Sequence, residues 1–308
     1  MANMQAVRIH DYGGPEVLKL EEVPRPQPGP GEVLIRVHAS SVNPVDWKIR
    51  AGYMKQFMPL ALPFVLGRDV SGVVEAAGPG VTGLKKGDEV YGLINGADAQ
   101  YAVAKESELA LKPRTIDHVR AAAIPLAALT AWQALLDKAK LAAGQRILVH
   151  GAAGGIGTFA VQLAKWKGAR VIATASGRNQ AFLRELGVAE PIDYEKTRFE
   201  DVVRDVDVVF DTIGGDTQQR SWKVLKRGGV LVSVVAPPAA EEAAKYGVRA
   251  ELLITQASSS RLTEIAKLID SGRIRPIVET ILPLSDVRRA QEMSERGHVR
   301  GKIVLKVE

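Results

Sequence analysis

The stretch Arg146-Ile-Leu-Val-His-Gly-Ala-Ala-Gly-Gly-Ile-Gly157 constrains this chain more than any other. Ile147 to Val149 reads as a short apolar strand, followed by a glycine-dense turn and a helical run to Trp166 closed by Gly168. A second apolar strand runs from Arg170 to Thr174. Strand, turn, helix and strand at these lengths form the first half of a βαβ unit, in which phosphates meet the N-terminus of the first helix. Backbone N–H groups must approach a pyrophosphate closely there, so Cβ atoms are excluded where the ligand lies. The helix start adds unpaired donors and a partial positive charge. Against the G-x-G-x-x-G template, Ala152, Gly154 and Gly157 fill the three positions, with Gly155 and Ile156 between the last two. Ala152 is a small departure, and a flexible loop is the bland alternative.

The end of the second strand bears on which dinucleotide is held. An NAD-preferring unit places an acid there, ~20 residues after the glycines, to grip the ribose 2′-hydroxyl. This chain has Thr174-Ala-Ser-Gly-Arg178-Asn179, with no acid before Glu185. Ser176 and Arg178 offer hydrogen bonds and charge to a 2′-phosphate. NADP(H) is the expected cofactor, although Arg178 could equally be a solvated residue near a helix start.

With 308 residues there is room for two domains with full cores. The net charge of +6 is spread without a run of five basic residues, so a polyanionic cofactor is a sufficient partner and nucleic acid is not expected. There are no cysteines, which excludes disulfides, thiolate nucleophiles and thiolate zinc sites. No signal-like segment and no apolar run near ~20 residues is present, so neither a membrane nor a secretory route is expected, and the cytoplasm is the default.

Before Asp117 the pattern is one of short strands: Met4 to His10, Glu32 to Ala39, Asp69 to Glu75, Gly87 to Gly92 and Ala99 to Ala104, punctuated by Gly and Pro turns. That spacing argues for a β-rich, barrel-like domain. From there the period changes. Val119 to Lys138 is helical and broken by Pro125. Further strands are expected at Val206 to Asp211, Gly229 to Val235 and Glu251 to Thr255, giving a parallel sheet. Arg261 to Ile269 is amphipathic, Ser285 can cap a helix to Arg296, and Lys302 to Val307 is a final strand returning to the first domain. The fold class is therefore α/β. The expected boundaries are 1–118 completed by 282–308 for the β-rich domain and 119–281 for the doubly wound dinucleotide domain, with cofactor and substrate meeting in a cleft.

Six stretches in order now carry a resemblance. They are Ser41-Val-Asn-Pro-Val-Asp-Trp-Lys-Ile-Arg50, Leu66-Gly-Arg-Asp-Val-Ser-Gly-Val-Val74, Gly87-Asp-Glu-Val-Tyr-Gly92, Leu129-Thr-Ala-Trp-Gln-Ala134, Gly151 to Gly157, and Gly297-His-Val-Arg-Gly-Lys-Ile-Val304. Over almost its whole length the chain resembles the zinc-independent quinone oxidoreductase branch of the medium-chain dehydrogenases/reductases. The resemblance implies a GroES-like domain plus a Rossmann domain, NADPH as hydride donor, a homodimer, and reduction of quinones or of carbon–carbon double bonds conjugated to a carbonyl. Zinc-dependent cousins carry a Cys near Asn43 and a Gly-His-Glu motif. Here that motif reads Gly67-Arg68-Asp69 and no cysteine exists, so no metal ligands are expected.

Without a metal the substrate must be electron-poor, with donors near its carbonyl oxygen and a clamp on the nicotinamide. The resemblance places Asn43 beside nicotinamide and substrate, where its amide could donate to a carbonyl; fixing the turn before Pro44 is the alternative. Asp46 and Arg50, four apart, are expected to pair with each other. Tyr53 matches an aromatic position near the substrate and could stack or donate a proton, or simply pack. The loop from Ala51 to Pro63 is read as pocket lining or as packing on the barrel. Thr130 matches a Thr at the nicotinamide end, with helix back-bonding as its alternative. Tyr194 matches a tyrosine that helps hold the 2′-phosphate. Ile213 and Gly214, and Val234 and Val235, end parallel strands where backbone approaches ribose and nicotinamide. Gly301 and Lys302 match a Gly-Lys pair close to the cofactor, Lys302 being otherwise an ordinary strand-end charge. The competing function is a nucleotide-binding sensor or structural protein of the same fold with little turnover.

Overall fold

The computed structural model describes residues 2–307. The alternating segments form β1 (Asn3–Ile9), β2 (Lys19–Pro24), β3 (Glu32–Val42), β4 (Phe64–Val65), β5 (Asp69–Ala77), β6 (Glu89–Leu93), β7 (Tyr101–Lys105) and β8 (Leu109–Leu111). β3 is the central one, pairing antiparallel with both β5 and β7. Its period of two sends Val33, Ile35 and Val37 into one core with Val70, Val74, Val90 and Leu109. Each such side chain contributes roughly 1.5–3 kcal/mol by leaving water. Only glycine fits opposite the irregular part of β3, because a Cβ on Gly72 would lie 2.1 Å from the carbonyl oxygen of Arg36.

Four helices bear on the site, α1 (Pro44–Arg50), α2 (His118–Ala122), α3 (Pro125–Trp132) and α4 (Gly155–Trp166), of which α1 and α3 carry its polar side chains. Pro125 breaks the long helical run as its chemistry demands, and the last part, Gln133–Lys138, widens into a π-helical turn.

Beyond residue 145, β9 (Arg146–Val149), β10 (Arg170–Ala175), β11 (Glu190–Asp193), β12 (Val206–Asp211), β13 (Leu225–Ser233) and β14 (Arg249–Leu252) build one parallel sheet in the order β11-β10-β9-β12-β13-β14. The order reverses between β9 and β12, which makes their carboxyl ends the switch point of the sheet. Ile147, Leu148 and Val149 are all fully buried, as a strand covered on both faces requires. β14 begins and ends earlier than the apolar stretch Glu251 to Thr255 indicated, because its register follows β13, with Val230 opposite Arg249.

The last strands, β15 (Val278–Pro283) and β16 (Lys302–Lys306), are parallel to each other, and β16 adds antiparallel to β3, with Ile303 opposite Val42. The helix Val287–Arg296 is preceded by a 3₁₀ turn, Leu284–Asp286, so Asp286 rather than Ser285 occupies the capping position. By contact density Met1–Leu126, Ala257–Ser271 and Pro276–Glu308 form one unit, and Ala127–Gln256 with Gly272–Arg275 the other. The helix Ser259–Asp270 belongs to the first, where the hydroxyl of Tyr91 donates to the carbonyl of Leu262 at 2.6 Å.

Candidate active site

In the second unit the glycine turn leaves β9 and enters α4. Gly151 has φ +66°, and Gly154 caps α4 in extended conformation with no side chain over the helix start. The first-turn N–H groups of α4 are therefore met by no capping side chain. A Cβ on Gly157 would lie 2.3 Å from the carbonyl oxygen of Gly151, so packing of the helix on its own turn demands glycine. The Ala152 departure is accommodated: its methyl is buried and its N–H is given to the Thr174 carbonyl at 3.1 Å. Gly154, Gly155 and Ile156 are half-buried at the rim of the turn.

Beneath the turn lies a residue with no role from its sequence position alone. The ring of His150 is fully buried and spans the hydroxyls of Thr174 and Ser221, each at 3.0 Å. Burial, reinforced by Arg220 and opposed by Asp211 and Glu200, lowers its pKa to about 4, so the imidazole is neutral. Thr174 thus turns its hydroxyl inward, under the turn.

Ser176 follows β10 and is buried, accepting from Asn179 at 3.1 Å, while Arg178 is exposed in the 3₁₀ turn Gly177–Asn179. Tyr194, half exposed, follows β11, whose Asp193 pairs with Ala175 in β10, so the three predicted phosphate-end residues share neighbouring strand ends. The structure adds two acids there. Glu195 accepts the N–H of Gly177 at 3.2 Å, and Asp193 Oδ2 would be 2.8 Å from a Cβ on Gly177. They arrive from β11 and are invisible in the run 174–179.

At the exits of β12 and β13, Ile213 and Val235 are apolar yet 55% and 39% exposed. Gly214 takes φ +79°, and the Val234 N–H bonds to the Asp211 carbonyl at 3.1 Å. The hydroxyl of Thr130 on α3 pairs with that of Thr255 at 2.7 Å. One turn on, Gln133 holds both backbone groups of Gln256, at 2.7 and 3.0 Å.

In the first unit a buried polar cluster gathers residues from five elements. Asn43 is the N-cap of α1; its N–H is bonded to Asp46 Oδ2 at 2.7 Å and its amide donates to Asp69 Oδ2 at 2.9 Å and to the Ser41 carbonyl. Lys302, at the start of β16 and only 4% exposed, donates to Asn43 Oδ1, to the Val42 carbonyl at 3.0 Å and to Asp69 Oδ2 at 3.2 Å. Asp69 also accepts from Ser41 Oγ and, at its other oxygen, from the Leu126 N–H in the first turn of α3, both at 2.7 Å. Lys302 is therefore no ordinary strand-end charge, and the Asn43 amide is engaged within the protein. Gly301 is required by packing, because its Cβ would lie 2.3 Å from the Ile277 carbonyl oxygen.

Asp46 and Arg50 do not pair with each other, in contrast to the spacing. Arg50 reaches Glu295 at 2.8 Å, and Asp46 turns back to cap α1. Burial, then Asp98 and Asp69, push the Asp46 carboxyl up to about 8 against the opposing Asn43 N–H and Lys302. Burial likewise raises Asp98 to about 6, although Ser40 donates to it at 2.7 Å. Tyr53 is 69% exposed and stands edge-on to Trp47, while Met54, Met58 and Leu60 of the same loop pack on the core. The loop thus splits into packing residues and an outward aromatic pair, Tyr53 and Phe57. Among the described residues no cluster of three or more His, Asp or Glu is arranged to hold a metal ion.

A six-stranded parallel sheet with a glycine turn at its switch point, preceded by a β-rich unit to which the C-terminal strand returns, is the architecture of a two-domain dehydrogenase or reductase. Family models agree: the alcohol dehydrogenase GroES-like domain matches residues 29–114 and the zinc-binding dehydrogenase domain residues 186–305. The chain is 38% identical to the NADPH-dependent alkenal/one oxidoreductase, chloroplastic, of Arabidopsis thaliana, over 98% of its own length and 79% of that protein. The quinone oxidoreductase of Coxiella burnetii has the same fold at TM-score 0.94 and 38% identity, with 100% of both chains covered. A mycobacterial protein solved with NADPH matches at TM-score 0.89 and 32% identity, over 99% of this chain and 100% of that one. The chain belongs to the medium-chain dehydrogenase/reductase superfamily.

Proposed function

We propose that this protein is an NADPH-dependent reductase that delivers hydride to a quinone or an α,β-unsaturated carbonyl without a catalytic metal. The observation that carries the reading is the uncapped glycine turn at the switch point of the sheet. The residues fit the cofactor. Gly154 to Gly157 leave backbone N–H groups for the pyrophosphate, and Ser176, Arg178 and Tyr194 share strand ends for the 2′-phosphate. Ile213, Gly214, Val234 and Val235 line the path toward the nicotinamide. When bound, NADPH supplies the hydride.

The chain's own contribution is to bind and orient. His150 braces the glycine turn from below, and the Thr130–Thr255 pair ties α3 to the exit of β14. In the first unit Lys302 is paired with Asp69 at 3.2 Å, both buried. A substrate that is already electron-poor needs only polarisation of its carbonyl; Asn43, buried with its amide given to Asp69 and the Ser41 carbonyl and its Oδ1 held by Lys302, positions this cluster beneath that face. Tyr53, exposed beside Trp47, suits a flat apolar acceptor. The names of the relatives, alkenal/one and quinone oxidoreductases, support this acceptor class.

The reading extends to a cytoplasmic homodimer, with the outer edge of β14 and the exposed Ile254 beyond it as the pairing surface. No described helix is long and apolar enough to cross a membrane. The deciding experiment mixes the purified protein with NADPH and a panel of quinones and enones, with a chelator present, and follows loss of absorbance of the reduced nicotinamide. Turnover of at least one acceptor is expected. Binding of NADPH with no turnover of any would leave the sensor reading in its place.

A further inference from the structure

One buried carboxylate joins the loops that leave β12 and β13. Asp211 ends β12 and is fully buried. Its Oδ1 accepts the backbone N–H groups of Ile213 at 3.0 Å and Gly214 at 2.8 Å. Its Oδ2 accepts the amide of Gln218 and the hydroxyl of Ser233, both at 3.0 Å. The chain of bonds continues across the sheet. Ser233 ends β13, and its oxygen takes longer bonds from the N–H groups of Val235 at 3.3 Å and Ala236 at 3.4 Å. Gln218 gives a second bond to the Ala236 carbonyl at 3.3 Å.

The segments so held would not keep their shape unaided. Gly214 sits at φ +79°, outside both helix and strand, and Gly215, at φ +53°, opens the helix Gly215–Ser221, so the turn between them takes its order from local bonds. The two loops also touch, since a Cβ on Gly214 would lie 3.1 Å from a methyl of Val235. A carboxylate is a costly group to bury, and here it is compensated by four neutral donors, two of them backbone groups of one loop. Its reach coincides with Ile213–Gly214 and Val234–Val235 on the strands next to the switch point.

We infer that Asp211 is a positioning residue for the nicotinamide half of the cofactor. It holds the two strand-exit loops as one platform whose backbone is ordered before the cofactor arrives, so that binding does not have to supply that ordering. The inference rests on the NADPH reading above. Asp211 touches neither cofactor nor substrate and acts through Ile213, Gly214 and, by way of Ser233, Val235. Because this half is common to NADPH and NADH, losing the platform must weaken both alike, unlike a change at the phosphate end.

The test measures equilibrium binding of NADPH and of NADH to the wild type, Asp211→Asn, Ser233→Ala, the double variant and Val209→Ala, with an unfolding curve for each. Val209 is a fully buried core residue of the same strand and controls for general destabilisation. Asp211→Asn should raise the Kd of both cofactors by the same factor, roughly ten- to a hundredfold, as loss of a preorganised set of charge-assisted bonds implies. Ser233→Ala should raise both by a smaller, again equal factor, and the double variant should be no worse than Asp211→Asn. Val209→Ala should lose stability and keep both affinities. Should Asp211→Asn fail to fold, Ser233→Ala decides alone. Unchanged affinities in the folded variants, unequal effects on the two cofactors, or equal losses in Val209→Ala would overturn the positioning role while leaving the NADPH reading standing. A wild type that binds neither cofactor would remove both.

Discussion

Replacing Asp46 with asparagine should make the protein more stable at neutral pH. The Asp46 carboxyl is raised to about 8, chiefly by burial and then by the nearby Asp98 and Asp69. In the unfolded chain the same group has its ordinary value of 3.8. At pH 7 folding must therefore place a proton on it, at about 1.4 kcal/mol for each pH unit above the unfolded value, or about 4 kcal/mol. Asparagine keeps the oxygen that accepts from the Asn43 N–H and needs no proton. Its NH₂ would stand where Asp46 Oδ1 is buried without a partner, costing about 1–3 kcal/mol. A net gain of about 2 kcal/mol remains. The sign in pH follows from the direction of the shift. The contribution of a raised acid is fully present below 3.8 and is lost as pH rises through about 8. The advantage of Asp46→Asn over the wild type should thus widen from pH 5 to pH 8. Urea unfolding at several pH values reads this directly. A variant no more stable than the wild type at pH 7, or an advantage that does not grow with pH, would refute the burial argument.

Two further outcomes are expected. Lys302→Met leaves the Asp69 carboxylate buried without its ammonium, and removing one partner of such a pair costs about 3–5 kcal/mol; a loss under about 1 kcal/mol in a urea titration would mean that water screens the pair. Arg178→Ala should raise the Michaelis constant for NADPH roughly tenfold or more while leaving that for NADH nearly unchanged, as loss of a charged contact to a phosphate requires. Equal effects on both cofactors would remove Arg178 from the site.

Asp46 also shows where local reading stops. Its spacing from Arg50 is that of a helical ion pair, yet each faces a different neighbour, because Glu295 comes from a helix 245 residues on. β2 is equally hard to see: Lys19-Leu-Glu-Glu-Val-Pro24 lies at a sheet edge with one buried side chain, so no alternation marks it. β11 carries a proline, Pro191, and passes for a loop. Asp193 and Glu195 come from that strand and the turn after it, which is why the run 174–179 looks free of acids along the chain.

What the amino-acid order determined by itself is local. The step from Ile147 to Thr174 is legible because strand, turn and helix each depend on residues a few positions apart, and a missing Cβ leaves the same mark in any fold. The absence of cysteine and the change of Gly-His-Glu to Gly67-Arg68-Asp69 are of the same kind. Tertiary structure alone decided which polar groups meet: Lys302 with Asp69 and Asn43, His150 with Ser221, Asp211 with Ser233. A buried charge is tolerated only when distant segments bring it partners, and the chain order carries no record of those distances.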